Sequence, residues 1–121
     1  MSKAVVIDDD PMFRRLAQMM LKKKGVEISE AENAADGIEM IRREKPDVVF
    51  LDVAMPGMGG LEALEQIRQE LAIADTKVFF MTGAEETSVK QRALELGAAG
   101  FITKPFTAEQ LYQALELNGM L

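Results

Sequence analysis

The chain has 121 residues, 48% of them hydrophobic and 28% charged, which fits one folded domain with a core covered on both sides of a sheet. Cysteine and histidine are both absent. Their absence excludes disulfides, thiolate or imidazole metal centres, histidine acid–base catalysis and a role as a phosphohistidine donor. The net charge of −6 disfavours direct binding of nucleic acid, because neutralising phosphates needs a basic face.

Met1-Ser2-Lys3 leads directly into an apolar run, with no stretch long and apolar enough for a signal peptide or a membrane span. A cytoplasmic chain without a membrane partner is the expectation. The first run is Ala4-Val5-Val6-Ile7, followed by Pro11 at a helix start and by Phe13, Leu16, Ala17, Met20 and Leu21 at helical spacing. Gly25 suits the end of that helix, and Val26 to Ser29 is a weaker second strand. A second helix is predicted from Asn33 to Glu44, anchored by Ile38 and Ile41, with Pro46 marking the loop beyond. Val48-Val49-Phe50-Leu51 is a strong third strand, and Gly57-Met58-Gly59-Gly60 reads as a loop. Leu64, Ile67 and Leu71 then share a helix face. Val78-Phe79-Phe80-Met81 is the fourth strand, and Val89, Ala93 and Leu96 mark a fourth helix ending at Gly97. Gly100-Phe101-Ile102 is a short fifth strand, and Thr107 caps a last helix carrying Leu111, Ala114 and Leu115.

The strands are continuously apolar, as in a parallel sheet buried on both faces. Their alternation with helices predicts a (βα)5 doubly wound α/β domain over residues 1–121. The expected sheet has five parallel strands in the flavodoxin-like order 2-1-3-4-5, with right-handed crossovers. Ligands of such sheets sit at the carboxyl ends of the strands, and the chemically distinctive residues fall there. Asp8-Asp9-Asp10 follow strand 1, Asp52 ends strand 3, Thr82 ends strand 4, and Lys104-Pro105 follow strand 5.

Each position has a plain reading beside a chemical one. Asp10 before Pro11 reads as a helix N-cap. Asp8 and Asp9 read either as an acidic turn or as a cation site, since adjacent carboxylates repel one another unless a hard ion such as Mg²⁺ joins them. Asp52 is a turn former or a carboxylate nucleophile able to form an aspartyl phosphate. Thr82 is a β-branched strand end or a hydroxyl donor to a phosphoryl oxygen. Lys104 is a solvated lysine or a point charge for the same group, its direction fixed if Pro105 is cis. Phe101 reads as core. The coincidence of these types at one sheet edge is the informative feature, and it points to magnesium-assisted phosphoryl chemistry.

The motifs Val5-Val6-Ile7-Asp8-Asp9, Leu51-Asp52-Val53-Ala54-Met55-Pro56-Gly57-Met58-Gly59-Gly60, Met81-Thr82-Gly83 and Gly97-Ala98-Ala99-Gly100-Phe101-Ile102-Thr103-Lys104-Pro105-Phe106 resemble, in this order and spacing, those of response-regulator receiver domains. The likeness covers essentially the whole chain. It implies that Asp52 is the phosphoacceptor and that Asp9 and Asp52 bind Mg²⁺ directly, with Asp8 acting through water and the Ala54 backbone carbonyl completing the set. It implies that Thr82 and Lys104 grip the arriving phosphoryl group and that Phe101 occupies the aromatic switch position. The implied donor is a phosphohistidine on a sensor histidine kinase or a histidine phosphotransfer protein, and small donors such as acetyl phosphate also serve the family. The implied response is a changed surface on the fourth helix, fifth strand and fifth helix, read by a downstream effector or output domain, with phosphorylation-dependent dimerisation a further expectation. Such a chain is a phosphoacceptor switch that catalyses its own phosphorylation and slow self-dephosphorylation. Helix 1 normally meets the kinase, which makes Met12, Phe13, Arg15 and Met19 the candidate specificity surface.

Two positions that tune self-dephosphorylation in the family, Ala54 and Ala84, are both alanine here and direct no attacking water. Phe101 lacks a hydroxyl, so its switch works through packing. Three other functions compete. A haloacid dehalogenase-type aspartate phosphatase shares the nucleophile and Mg²⁺, but Asp52 is followed by Val53-Ala54 without the second acid, and Asp8-Asp9-Asp10-Pro11-Met12 ends in Met12. FMN binding lacks a Ser/Thr/Gly-rich loop after strand 1, where acids would repel a phosphate. A phosphate-independent interaction module is opposed by the intact set Asp8, Asp9, Asp52, Thr82 and Lys104.

Overall fold

Five strands, β1 (Lys3–Ile7), β2 (Glu27–Ala31), β3 (Val48–Asp52), β4 (Val78–Thr82) and β5 (Gly100–Thr103), pair in parallel in the order β2-β1-β3-β4-β5. The computed structural model describes residues 2–83 and 87–120. The strands alternate with α1 (Pro11–Lys22), α2 (Ala34–Glu44), α3 (Gly60–Gln69), α4 (Thr87–Glu95) and α5 (Ala108–Leu117). This is the expected flavodoxin-like doubly wound sheet. No described helix is long and apolar enough to cross a membrane.

Strand alternation divides the core into two layers. Val5, Ile7, Val49, Leu51, Val78 and Phe80 face Ile38, Ile41, Leu64 and Ile67 of α2 and α3. Ala4, Val6, Val48, Phe50, Phe79 and Met81 face Ala17 and Leu21 of α1 and Leu111 and Leu115 of α5. Each fully buried Leu, Ile, Val or Phe side chain contributes about 1.5–3 kcal/mol. Packing on both faces is what makes β1, β3 and β4 unbroken apolar runs.

The helix ends follow local chemistry. Asp10 caps α1 by accepting from the Met12 N–H, with Pro11 at the first position. Asn33 caps α2 through the Asp36 N–H, and Thr107 forms a capping box with Gln110 on α5. Gly25 and Gly97, expected at helix ends, take left-handed φ of +75° and +77°.

Three boundaries differ from expectation. Strand β2 runs two residues past Ser29, because the Asp8 N–H bonds to the Ala31 carbonyl and extends the ladder. Helix α3 stops at Gln69, so Leu71 lies in a short 3₁₀ turn at 96% exposure and Ile73 fills the core in its place. Gly60, expected in a loop, is the first residue of α3. A Cβ there would lie 2.7 Å from the Asp52 carbonyl oxygen and 2.9 Å from Phe80, so only glycine lets α3 start against the end of β3.

Candidate functional site

The parallel register brings the ends of β1, β3, β4 and β5 to one edge. Asp8 follows β1 and is fully buried; Asp52 ends β3 and Thr82 ends β4, and both are buried too. Asp9 is exposed at the mouth. One carboxylate oxygen each from Asp8, Asp9 and Asp52 lies within 4.8 Å of the other two. These are hard oxygen donors, the set Mg²⁺ takes, so the three carboxylates fit such an ion.

Two backbone amides aim the carboxylates. The Asp10 N–H donates to Asp8 Oδ1 at 2.9 Å, and the Ala54 N–H donates to Asp52 Oδ1 at 3.2 Å. Each carboxylate thereby closes a turn on the residue two positions ahead, and its second oxygen is left to face the other. Lys104 Nζ stands between them, 2.7 Å from Asp8 Oδ2 and 3.3 Å from Asp52 Oδ2. The approach to Asp8 Oδ2 is close but outside hydrogen-bonding alignment, so this buried oxygen has charge compensation and, among the described residues, no directional donor. A buried carboxylate oxygen in that condition is suited to a cation or an ordered water.

Burial, reinforced by the neighbouring Asp8 carboxylate, pushes Asp52 up to about 7, against the opposing pull of Lys104 and the Ala54 N–H. Burial also works against the Lys104 ammonium, but Asp8 and Asp52 outweigh it and hold Lys104 above its ordinary value. The site therefore concentrates negative charge that a single ammonium does not fully offset.

The Lys104 backbone N–H donates to the Thr82 carbonyl at 2.7 Å, tying the two strand ends, and the Lys104-Pro105 peptide is cis. Phe101 is half-buried on β5, its ring stacked on Phe80 at 6.2 Å, with Lys90 Nζ 5.6 Å from its centroid. Ala54 is exposed beside Asp52. Ala84 lies outside the described residues.

Two neighbours were not legible as site residues. Arg14 Nη1 donates to the Asp8 carbonyl at 2.7 Å while its Nε meets Glu30 Oε1 at 3.2 Å, which braces the acidic turn against β2. Its only sequence signal is an arginine one helical turn beyond three acids. Phe13, read as core or docking surface, is half-buried and lies against Lys104 and Phe106. Met12 and Met19 remain 56% exposed and, with Pro11, Arg15 and Leu16, line a groove of about 340 Å³ on α1.

Residues 4–116 match the family described as the response regulator receiver domain. Protein PilH of Pseudomonas aeruginosa is 32% identical over 115 residues, covering 95% of this chain and 95% of that protein. Among solved structures, the chemotaxis protein CheY4 of Vibrio cholerae superposes with a TM-score of 0.90 at 27% identity, covering 97% of this chain and 98% of that one. A response regulator receiver domain protein from Clostridium thermocellum gives 0.90 at 26% identity, covering 98% and 94%.

Proposed function

The chain belongs to the response-regulator receiver family, and from that premise we propose that residues 1–121 act as a cytoplasmic phosphoacceptor switch whose Asp52 takes a phosphoryl group in a Mg²⁺-dependent reaction. The donor is a phosphohistidine on a sensor histidine kinase or a histidine phosphotransfer protein. The observation that carries the reading is the convergence of Asp8, Asp9 and Asp52 within 4.8 Å of one another, with Lys104 set between Asp8 and Asp52.

An Asp52 carboxylate oxygen attacks phosphorus as the bond from phosphorus to the donor imidazole nitrogen breaks. The electron pair of that bond leaves with the imidazole, and Asp52 becomes an acyl phosphate. Asp8, Asp9, Asp52 and the Ala54 carbonyl would hold Mg²⁺, which supplies positive charge beside the transferring oxygens. Lys104 adds a second positive charge already in place at the edge, so little rearrangement is needed when the phosphoryl oxygens arrive. The Ala54 N–H keeps one Asp52 oxygen engaged and so orients the carboxylate.

The product adds roughly −1.5 to −2 charge and new acceptor oxygens. Thr82 turns its hydroxyl toward them, and Phe101 packs into the space released beside Phe80. The surface of α4, β5 and α5 then changes shape for an effector, an output domain or a second copy, as a two-state equilibrium biased by local charge. Met12, Arg15 and Met19 on α1 form the surface presented to the donor protein; Phe13 is turned inward and leaves that set. Receiver membership leaves the dehalogenase-type phosphatase and flavin-binding readings without support.

Mass spectrometry after treatment with acetyl phosphate is the test. Wild type should gain one phosphoryl group at Asp52 with Mg²⁺ and none without it, and Asp52→Asn should gain none. A wild type that stays unlabelled would leave the phosphate-independent module as the function.

A further inference from the structure

Among the described residues, the charged end of Lys104 meets the carboxylates of Asp8 and Asp52 and one aromatic ring. That ring belongs to Phe13, whose centroid lies 4.4 Å from Nζ, well inside the roughly 6 Å reach of a cation–π contact. The lysine side chain is 16% exposed, so the contact is made largely out of water, where such attraction is strongest. Phe13 is itself fixed from behind. Its ring meets that of the buried Phe106 at 5.7 Å and 46°, an inclined pairing of the kind aromatic rings prefer. Phe106 lies two residues beyond Lys104, so one ring on α1 braces both the ammonium and the loop that carries it.

The position of Phe13 follows from the same turn that carries the acids. Asp10 caps α1 and Pro11 opens it, which places the third helical residue over the sheet edge. Arg14, next in the chain, holds the Asp8 carbonyl. The first turns of α1 therefore touch both members of the Asp8–Lys104 pair, one through a guanidinium and one through an aromatic face.

We propose that Phe13 is a positioning residue for phosphoryl transfer, holding the Lys104 ammonium between Asp8 and Asp52 through its ring face. This rests on the phosphoacceptor reading for its consequence but not for its geometry. A lysine has four flexible methylenes and three rotatable donors. Two carboxylates alone leave it free to tip outward, whereas the negative face of the ring holds it from a third direction. The role depends on ring electrons and not merely on volume, which separates it from ordinary packing. It also gives α1, the helix that faces the donor protein, a direct mechanical hold on a residue of the reacting edge.

The experiment replaces Phe13 with phenylalanines of increasing ring fluorination, which keep shape and packing while draining the negative face, alongside Phe13→Leu and Phe13→Tyr. Two quantities are read: ¹³C relaxation of the Lys104 Cε methylene in the unphosphorylated protein, and the labelling rate with acetyl phosphate and Mg²⁺. The expected result is a stepwise loss of methylene order and of rate with fluorination. The most fluorinated ring and Leu should fall about two- to thirty-fold in rate, the range an exposed to desolvated cation–π contact supports, and Tyr should stay near wild type. Equal order and rate across the fluorinated series would overturn the proposal, as would a Leu variant matching wild type. If wild type accepts no phosphoryl group, the phosphoacceptor reading fails, and the methylene series decides on its own whether Phe13 holds Lys104.

Discussion

Lys104 Nζ lies closer to Asp8 Oδ2, at 2.7 Å, than to Asp52 Oδ2, at 3.3 Å. The lysine therefore compensates mainly the fully buried acid and leaves the proposed nucleophile the less neutralised of the two. Removing the ammonium strands Asp8 as a buried charge, and breaking one side of a buried pair costs more than the pair is worth. Lys104→Met should lose about 3–5 kcal/mol at neutral pH in urea unfolding. Adding Asp8→Asn to that variant should recover part of the loss, since nothing charged is then left unpaired. Equal stability for Lys104→Met and wild type would show that solvent, and not Lys104, screens Asp8.

Asp52 makes a second case, with the opposite sign from an ordinary paired carboxylate. Its pKa is raised from 3.8 to about 7, first by burial and then by Asp8. Between these values the folded protein holds a proton that the unfolded chain releases, so this group's contribution to stability falls as pH rises from about 4 to about 7. Above that window the buried charge is a net cost. Asp52→Asn should therefore be more stable than wild type at pH 7.5, by about 1–2 kcal/mol once the partial opening of the site to water is allowed for. The gain should shrink on acidification toward pH 4.5. Thermal melts at the two pH values check it, and a gain independent of pH would point to a cause other than ionisation.

These two cases show what the sequence carried and what it did not. Strand identity followed from the apolar runs, the order 2-1-3-4-5 followed from the flavodoxin-like doubly wound class that strand–helix alternation implied, and the meeting of Asp8, Asp52, Thr82 and Lys104 followed from the rule that a parallel sheet gathers its strand ends at one edge. Leu71 was misplaced because helical spacing continues past Gln69 while the backbone does not. Gly60 read as loop because a glycine needed for close approach looks the same, in sequence, as one needed for a turn. Arg14 and Phe13 escaped for a different reason. Their contacts depend on where the first turns of α1 lie over the sheet edge, a three-dimensional fact with no local signature.

Mg²⁺ binding should be coupled to proton release. A carboxyl group with a pKa near 7 is substantially protonated at neutral pH, and a cation takes the ionised form. The apparent Mg²⁺ affinity should fall as pH drops below about 7, approaching ten-fold per pH unit if one proton is displaced, and should level off above about 8. Titration calorimetry at pH 6, 7 and 8 in buffers of different ionisation enthalpy measures both the affinity and the proton count. An affinity flat across that range would mean that Asp52 is already ionised without the metal.

The last prediction concerns how the fold fixes Asp52. Gly60 and Gly25 both resist substitution, for unlike reasons. At Gly60 an added methyl group would meet the Asp52 carbonyl at 2.7 Å, Phe80 at 2.9 Å and the Val53 Cα at 2.9 Å, two of the three being backbone atoms that cannot swing aside. At Gly25 the methyl group would meet nothing within 4 Å, and only its φ of +75° is unfavourable. Gly60→Ala must therefore push α3 away from the end of β3 and shift Asp52 relative to Asp8, at a cost of about 1–3 kcal/mol for overpacking. Gly25→Ala should cost about 1 kcal/mol through its backbone alone, with the site unchanged. Matched measurements of unfolding and of acetyl phosphate labelling separate the two: Gly60→Ala should slow labelling under conditions where it remains folded, and Gly25→Ala should not. Labelling equally fast in both variants would show that the start of α3 does not set the position of Asp52.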